Sequence, residues 1–352
     1  AGLAALVVLA GCDRTGQKVP FQSIDISGAE WGRDFRLQGT DGQPVQLADF
    51  RGRCVLLFFG FTQCPDVCPT ALARAVEVMK LLGFDFDAGR LDLSAHPFCA
   101  GVPEDVRITT RYREDNFLQG LMGVIHETGH ARYEQRLPRE LVHLPIGRAR
   151  TMGVHESQSL SFEMQLGRHA AFLSHLAPLI GQHLGTQDAL QAGNLARLCT
   201  RVRPGHIRVD ADELTYPAHV ILRYEIERAL IEGDIEVEDI PALWDEKMQA
   251  SLGVDTRGNF KDGCMQDIHW PMGLIGYFPS YTLGAMYAAQ YFATIRQQTP
   301  DLDRQIATGD LSAVMNWLES NIWSQASRWE ITELMKRATG QTLQNAGEKV
   351  QP

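Results

Sequence analysis

The reading turns on Phe117-Leu-Gln-Gly-Leu-Met-Gly-Val-Ile-His126-Glu127-Thr128-Gly129-His130-Ala-Arg-Tyr-Glu-Gln135. Its apolar spacing predicts a helix. His126 and His130, four residues apart, then project from one face and can bind a single metal ion. Glu127 follows the first ligand and stands beside the metal, where it can take a proton from a water that the metal activates. Such a site needs a third protein ligand. Val154-His155-Glu156-Ser157-Gln158-Ser159 opens a second amphipathic helix downstream. By composition either His155 or Glu156 meets the need, and Glu156 would complete a His2Glu set. The competing reading makes Glu156 a helix N-terminal charge that offsets the dipole.

The rest of the chain fits an enzyme body better than a nucleic-acid binder. Its 352 residues exceed one typical domain, and 44% hydrophobic with 22% charged residues is an ordinary globular composition. The net charge of −10 lacks the basic face that nucleic acid requires. Basic and acidic side chains balance over residues 1–83, so the whole excess of acid lies after Gly83. Four cysteines (Cys12, Cys54, Cys64, Cys68) lie in that first part. From Phe84 onward the segments become long, helical and apolar-periodic, which sets a boundary at 83/84.

The front part carries different signals. Ala1 to Cys12 reads AGLAALVVLAGC, a short apolar run closed by Leu-Ala-Gly-Cys. It resembles a bacterial lipobox, with Cys12 the lipidated residue, residues 1–21 a signal remnant and tether, and export to a membrane implied. Phe35-Arg-Leu-Gln, the turn at Thr40, and Val45-Gln-Leu predict a strand pair. Cys54 to Phe61 reads as a buried strand leading into Cys64-Pro-Asp-Val-Cys68-Pro and a helix over 71–82. Two thiols four apart at a helix N-terminus suit thiol–disulfide exchange or Cu(I). Residues 22–83 resemble the SCO/SenC family of thioredoxin-like copper chaperones, whose signature is CPxxCP after an apolar strand. The resemblance implies a copper or redox role for Cys64 and Cys68, on a truncated βα fragment.

From about residue 84 the chain resembles the carboxypeptidase Taq (M32) family of metallocarboxypeptidases. The matching blocks run in order: His96-Pro-Phe, Asp105-Val-Arg-Ile-Thr109, the HETGH helix, His155-Glu-Ser-Gln158, Ile207-Arg-Val-Asp-Ala-Asp212, and Gly276 to Gln290. The resemblance implies one Zn2+ or Co2+ held by His126, His130 and Glu156, with Glu127 as the catalytic carboxylate. It also implies peptide substrates, a mainly α-helical body with a deep groove, a homodimer, and a cytoplasmic setting at odds with the lipobox. Members of that family carry a long helical segment ahead of the His-Pro-Phe block, where this chain has its SCO-like fragment. The expectation is therefore a junction of two partial genes, by natural fusion, rearrangement or assembly error, with 84–352 as the catalytic part.

A carboxypeptidase must hold a terminal carboxylate, for which an arginine fork is suited. Arg208 and Arg223 are the candidates; the alternative is a structural ion pair with Asp210, Asp212 or Glu225. Oxyanion stabilisation needs a donor beside the metal, and Tyr281, Tyr277 and His269 are available. The cluster Arg132, Arg136, Arg139, Arg148 and Arg150 reads as a solvated face that favours acidic peptide ends. Trp317, Trp323 and Trp329 read as core of a helical segment. Three readings follow: a metal-dependent carboxypeptidase, a membrane-tethered copper or thiol protein working through Cys64 and Cys68, or a hybrid without function.

Overall fold

A computed structural model describes residues 34–38, 43–52, 68–94, 97–112 and 116–343, those of 68–74 by backbone alone. Cys12 and the tether, the expected strand from Cys54, Cys64 and His96 lie outside the described residues, as does the side chain of Cys68. Contacts divide the chain into two units, residues 1–62 and 63–352.

In the first unit, β1 (Arg36–Gln38) pairs antiparallel with β2 (Pro44–Gln46), Leu37 opposite Val45. A 3-10 turn over Leu47–Phe50 follows, closed by a bond from Gln46 N to Asp49 Oδ2.

The second unit opens with α1 (Cys68–Leu81). It ends at Gly83, whose φ of +79° is the left-handed conformation that glycine adopts without strain. Gly83 N donates to Lys80 O, and Phe84 N reaches back to Met79 O. The contact boundary falls earlier than the 83/84 break in composition because α1 buries its apolar face in this unit. Val78 and Leu82 pack in the main core, while Ala75 and Met79 pack in a smaller cluster with Phe84.

A three-stranded sheet comes next, where the sequence predicted helix. β3 (Gly89–Leu93) runs parallel to the central β5 (Asp105–Thr110), and β4 (Phe98–Val102) runs antiparallel to it. The period is two: Val106 and Ile108 are buried against Val124 and Ala131, while Asp105 and Arg107 face outward and pair with each other.

α2 (Phe117–Gln135) is the axis of the fold. Asn116 caps it, accepting from Gln119 N at 3.2 Å. From Gly120 onward it is buried on nearly every side, as a central helix must be. α3 (Met152–Leu160) runs on into a π-helical turn over Ser161–Gly167. Then follow α4 (Ala170–Leu184), α5 (Ala192–Cys199), α6 (Tyr216–Glu232), α7 (Ile240–Leu252), α8 (Pro279–Gln298), α9 (Leu302–Ala307), α10 (Ser312–Asn321) and α11 (Ile331–Thr339). The result is a mainly α-helical body. No described helix is long and apolar enough to cross a membrane.

Two glycines let three helices approach closely. A Cβ on Gly129 of α2 would stand 2.5 Å from Gln158 O and 2.7 Å from Ser159 Cα of α3. A Cβ on Gly284 of α8 would stand 2.6 Å from Glu156 Cβ. α3 is thus gripped between α2 and α8 at the turn that bears Glu156. Trp323 and Trp317 are core, and Trp323 Nε1 donates to Gln158 Oε1 at 2.7 Å. Trp329 is only half-buried and lies in a bend, stacked under Arg337.

Candidate active site

α2 and α3 bring His126, His130 and Glu156 together, with one donor atom of each within 4.8 Å of the others. Glu156 Oε2 lies 3.7 Å from His126 Nε2 and 3.6 Å from His130 Nε2. The other oxygen, Oε1, accepts a bond from Tyr277 OH at 2.8 Å, and Ser159 Oγ donates to Oε2 at 3.0 Å. All three groups line a cavity of ≈ 960 Å³, together with Glu127, Tyr277 and Tyr281.

Each imidazole is held from behind. His126 Nδ1 bonds Glu163 Oε2 at 2.9 Å, and Glu163 in turn takes Arg168 Nη2 at 2.7 Å. Burial works against charge on both members of the His126–Glu163 pair. Their mutual bond overcomes it, raising the imidazole and lowering the carboxyl, the latter helped by Arg168. His130 Nδ1 meets His155 Nδ1 at 2.7 Å, and His155 Nε2 meets Glu134 Oε1 at 2.9 Å. His155 therefore stands behind a ligand candidate and is itself outside the three-atom cluster. Burial, then the neighbouring His155 and His126, hold His130 well below the usual histidine range.

Glu127 is 7% exposed, and burial pushes its carboxyl up to about 7. Burial, and then the Glu156 charge, push the Tyr277 hydroxyl far above its usual value. Burial does the same to Tyr281 in spite of Arg208. Both tyrosines thus remain proton donors.

The arginine candidates lie elsewhere. Neither Arg208 nor Arg223 lines the cavity, and each is almost wholly buried. Arg208 Nε and Nη2 grip Asp267 Oδ1 at 3.0 and 2.9 Å; Arg223 Nε takes Oδ2 at 2.6 Å. The partner is Asp267 rather than Asp210, Asp212 or Glu225. Asp210 accepts from Gln119, Asp212 closes a turn onto Thr215, and Glu225 pairs with Lys247. His269 is likewise outside the cavity lining, and its Nε2 meets Tyr281 OH at 2.9 Å. Arg208 lies 4.4 Å from the Tyr281 ring centre, so this buried group backs the tyrosine wall. Besides His126, His130 and His155, the basic groups that line the cavity are Arg148, Arg150 and His143. Arg150 is paired with Glu330 at 2.7 Å, whereas Arg148 is exposed and makes no ion pair among the described residues.

The sequence reading passed over Glu134, Glu163 and Asp267. Glu134 was visible in principle, since 126, 130 and 134 form one i, i+4 row on α2. Glu163 lies two turns beyond Glu156. Asp267 carries no local signal that ties it to either arginine.

Two imidazoles and a carboxylate converge on a cavity with a further glutamate beside them, a residue set that could serve a metallopeptidase. Residues 68–347 match the carboxypeptidase Taq (M32) metallopeptidase family, and the chain belongs to it. Residues 25–93 match SCO1/SenC, so the two matches overlap across α1 and β3. Thermostable carboxypeptidase 1 of Thermus thermophilus is 42% identical over 268 residues, which cover 76% of this chain and 52% of that protein. The structure of Trypanosoma cruzi metallocarboxypeptidase 1 superposes with a TM-score of 0.76 at 48% identity, covering 83% of this chain and 60% of that one. For the front part, the mitochondrial SCO2 homolog of Mus musculus is 40% identical over 108 residues, 30% of this chain and 41% of that protein. The chain is a fusion of SCO-like and M32 sequence, and it spans about half the length of the curated carboxypeptidases it matches.

Proposed function

We propose that this chain is a metal-dependent carboxypeptidase that releases C-terminal residues from peptides, with Zn2+ or Co2+ held by His126, His130 and Glu156. The observation that carries the reading is the spacing of the donors. Ligand distances of about 2.0–2.2 Å in a tetrahedral site put neighbouring donor atoms about 3.3–3.6 Å apart. The two imidazole–carboxylate separations, 3.7 and 3.6 Å, fit that geometry. A bound divalent cation supplies Lewis-acid polarisation of the scissile carbonyl.

The chain's own groups do the rest. Glu127 takes the proton of the attacking water and returns it to the leaving amine. Tyr281 presents its hydroxyl to the developing oxyanion, while Tyr277 donates its proton to Glu156 Oε1 and holds that carboxylate in place. Arg208, Arg223 and His269 hold that tyrosine wall in place. The terminal carboxylate meets Arg148, the guanidinium at the cavity that has no ion-pair partner among the described residues.

Mass spectrometry of an unblocked peptide incubated with the Zn2+- or Co2+-loaded chain tests the reading. Stepwise loss of C-terminal residues that a chelator abolishes is the expected result. A folded, metal-loaded sample that releases nothing would overturn it.

Arg148→Met is expected to raise KM about tenfold or more, with kcat within a few-fold, and to erase discrimination against C-terminal amides. The same KM effect in Arg208→Met but not in Arg148→Met would return the anchor to the buried arginine.

His155 and Glu134 act as positioning residues. With Glu134 accepting from His155 Nε2–H, the His155 Nδ1 lone pair accepts from His130 Nδ1–H. His130 Nε2 is then left free to ligate. His155→Leu should weaken Zn2+ affinity by about 10–100-fold in competition with a chelator, and Glu134→Gln by less. Unaltered affinity in His155→Leu would remove this role. Copper or thiol chemistry at Cys64 and Cys68 and anchoring at Cys12 belong to groups outside the described residues.

A further inference from the structure

The second cavity of the helical unit, ≈ 340 Å³, lies at the C-terminal end of α2 and is lined by Arg132, Arg136 and Arg139 together with Asp85 and Glu319. Leu137 is the one residue that lines both this cavity and the peptidase cavity. Arg132 is 3% exposed, yet its Nε and Nη1 have no hydrogen-bond partner, and none of its nitrogens forms an ion pair among the described residues. The face of Trp323 lies 5.4 Å away, and the carboxylates of Asp85 and Glu319 act on the guanidinium from the cavity lining without bonding it. Burial, and then the charge of Arg136, bring its pKa down to about 10 against the pull of Glu319 and Asp85, so the guanidinium stays charged at neutral pH.

A buried cation without an acceptor is among the costliest arrangements in a protein interior. An anion in the adjoining space relieves it. Arg136 is one helical turn from Arg132 and so faces the same side. Arg136 and Arg139 are held only loosely, by Glu319 at 3.6 Å and Glu104 at 3.3 Å, and each is about half exposed and free to turn inward. The carbonyl end of α2 and the two lining carboxylates oppose an anion. Three guanidinia outweigh them, and an anion with more than one charge and several acceptor oxygens gains most from three converging forks.

We propose that this cavity is an oxyanion site that takes a phosphate group, separate from the peptidase centre. The test is titration of the full chain with inorganic phosphate against chloride at matched ionic strength, followed by thermal melting, with and without prior chelation. A saturable rise in Tm that chloride does not reproduce and chelation does not remove is expected. Arg132→Met should abolish it and, in phosphate-free buffer, melt no lower than the parent, because it removes the unpaired cation. Arg139→Gln, at a half-exposed position outside the packed core, should weaken apparent affinity about tenfold. No saturable shift in the parent would overturn the proposal. So would a shift that both variants retain, since phosphate would then be acting elsewhere, such as at the metal site.

Discussion

Glu127→Gln is expected to lower kcat by about 10²–10⁴-fold while leaving metal content and KM close to those of the parent. Glutamine has nearly the same shape and keeps one acceptor oxygen, so the packing around position 127 survives. What it loses is the ability to accept and return a proton. Glu127 suits that task because burial has pushed its carboxyl up to about 7, making its carboxylate a stronger base than an exposed one. It lines the cavity beside the three donor groups but is not one of them. Peptide release measured on metal-loaded protein separates the outcomes. Activity within a few-fold of the parent would place the base elsewhere, and loss of metal along with activity would make Glu127 a structural member of the site.

Gly284→Val is expected to cost about 1–3 kcal/mol or more of stability and to abolish stoichiometric metal binding. Even the first added carbon would stand 2.6 Å from Glu156 Cβ, 2.9 Å from Glu156 C and 3.0 Å from Ser157 N. Two of those three atoms are backbone, so relief requires α3 to move away from α8. Movement carries Glu156 off the imidazoles of α2. Gly129→Ala attacks the same grip from the opposite side, through Gln158 O. Gly181→Ala is the internal control: nothing lies within 4 Å of the added carbon, and it should gain about 0.4–1 kcal/mol. Thermal melts and metal analysis of the three variants decide the matter. A Gly284→Val protein that binds metal at parental stoichiometry would show that α3 is not held by this contact.

The candidate metal centre was legible because it is local. Two histidines on one turn, and a third ligand near the start of the next amphipathic helix, follow from the 3.6-residue period alone. Spacing and composition left the choice between His155 and Glu156 open, and the M32 resemblance pointed to Glu156; adjacent residues on a helix point about 100° apart, and the position of α2 is what selects between them. The sheet of β3, β4 and β5 was missed for a different reason. Its alternating stretches, Arg90-Leu-Asp-Leu93 and Asp105 to Thr110, are short, and β4 does not alternate.

From sequence alone come the mainly helical body, the HETGH helix, the joining of SCO-like and M32 segments, and the residue types available for the chemistry. These depend on short-range periodicity and on residues adjacent in the chain. The tertiary structure alone decided which groups meet. Asp267 captures arginines 59 and 44 residues away, Tyr277 reaches Glu156 across 121 residues, and Glu134 closes the chain behind His130 through His155. Nothing in a linear sequence encodes those pairings singly. They arise because a buried charge must find its partner wherever the packed helices happen to bring one.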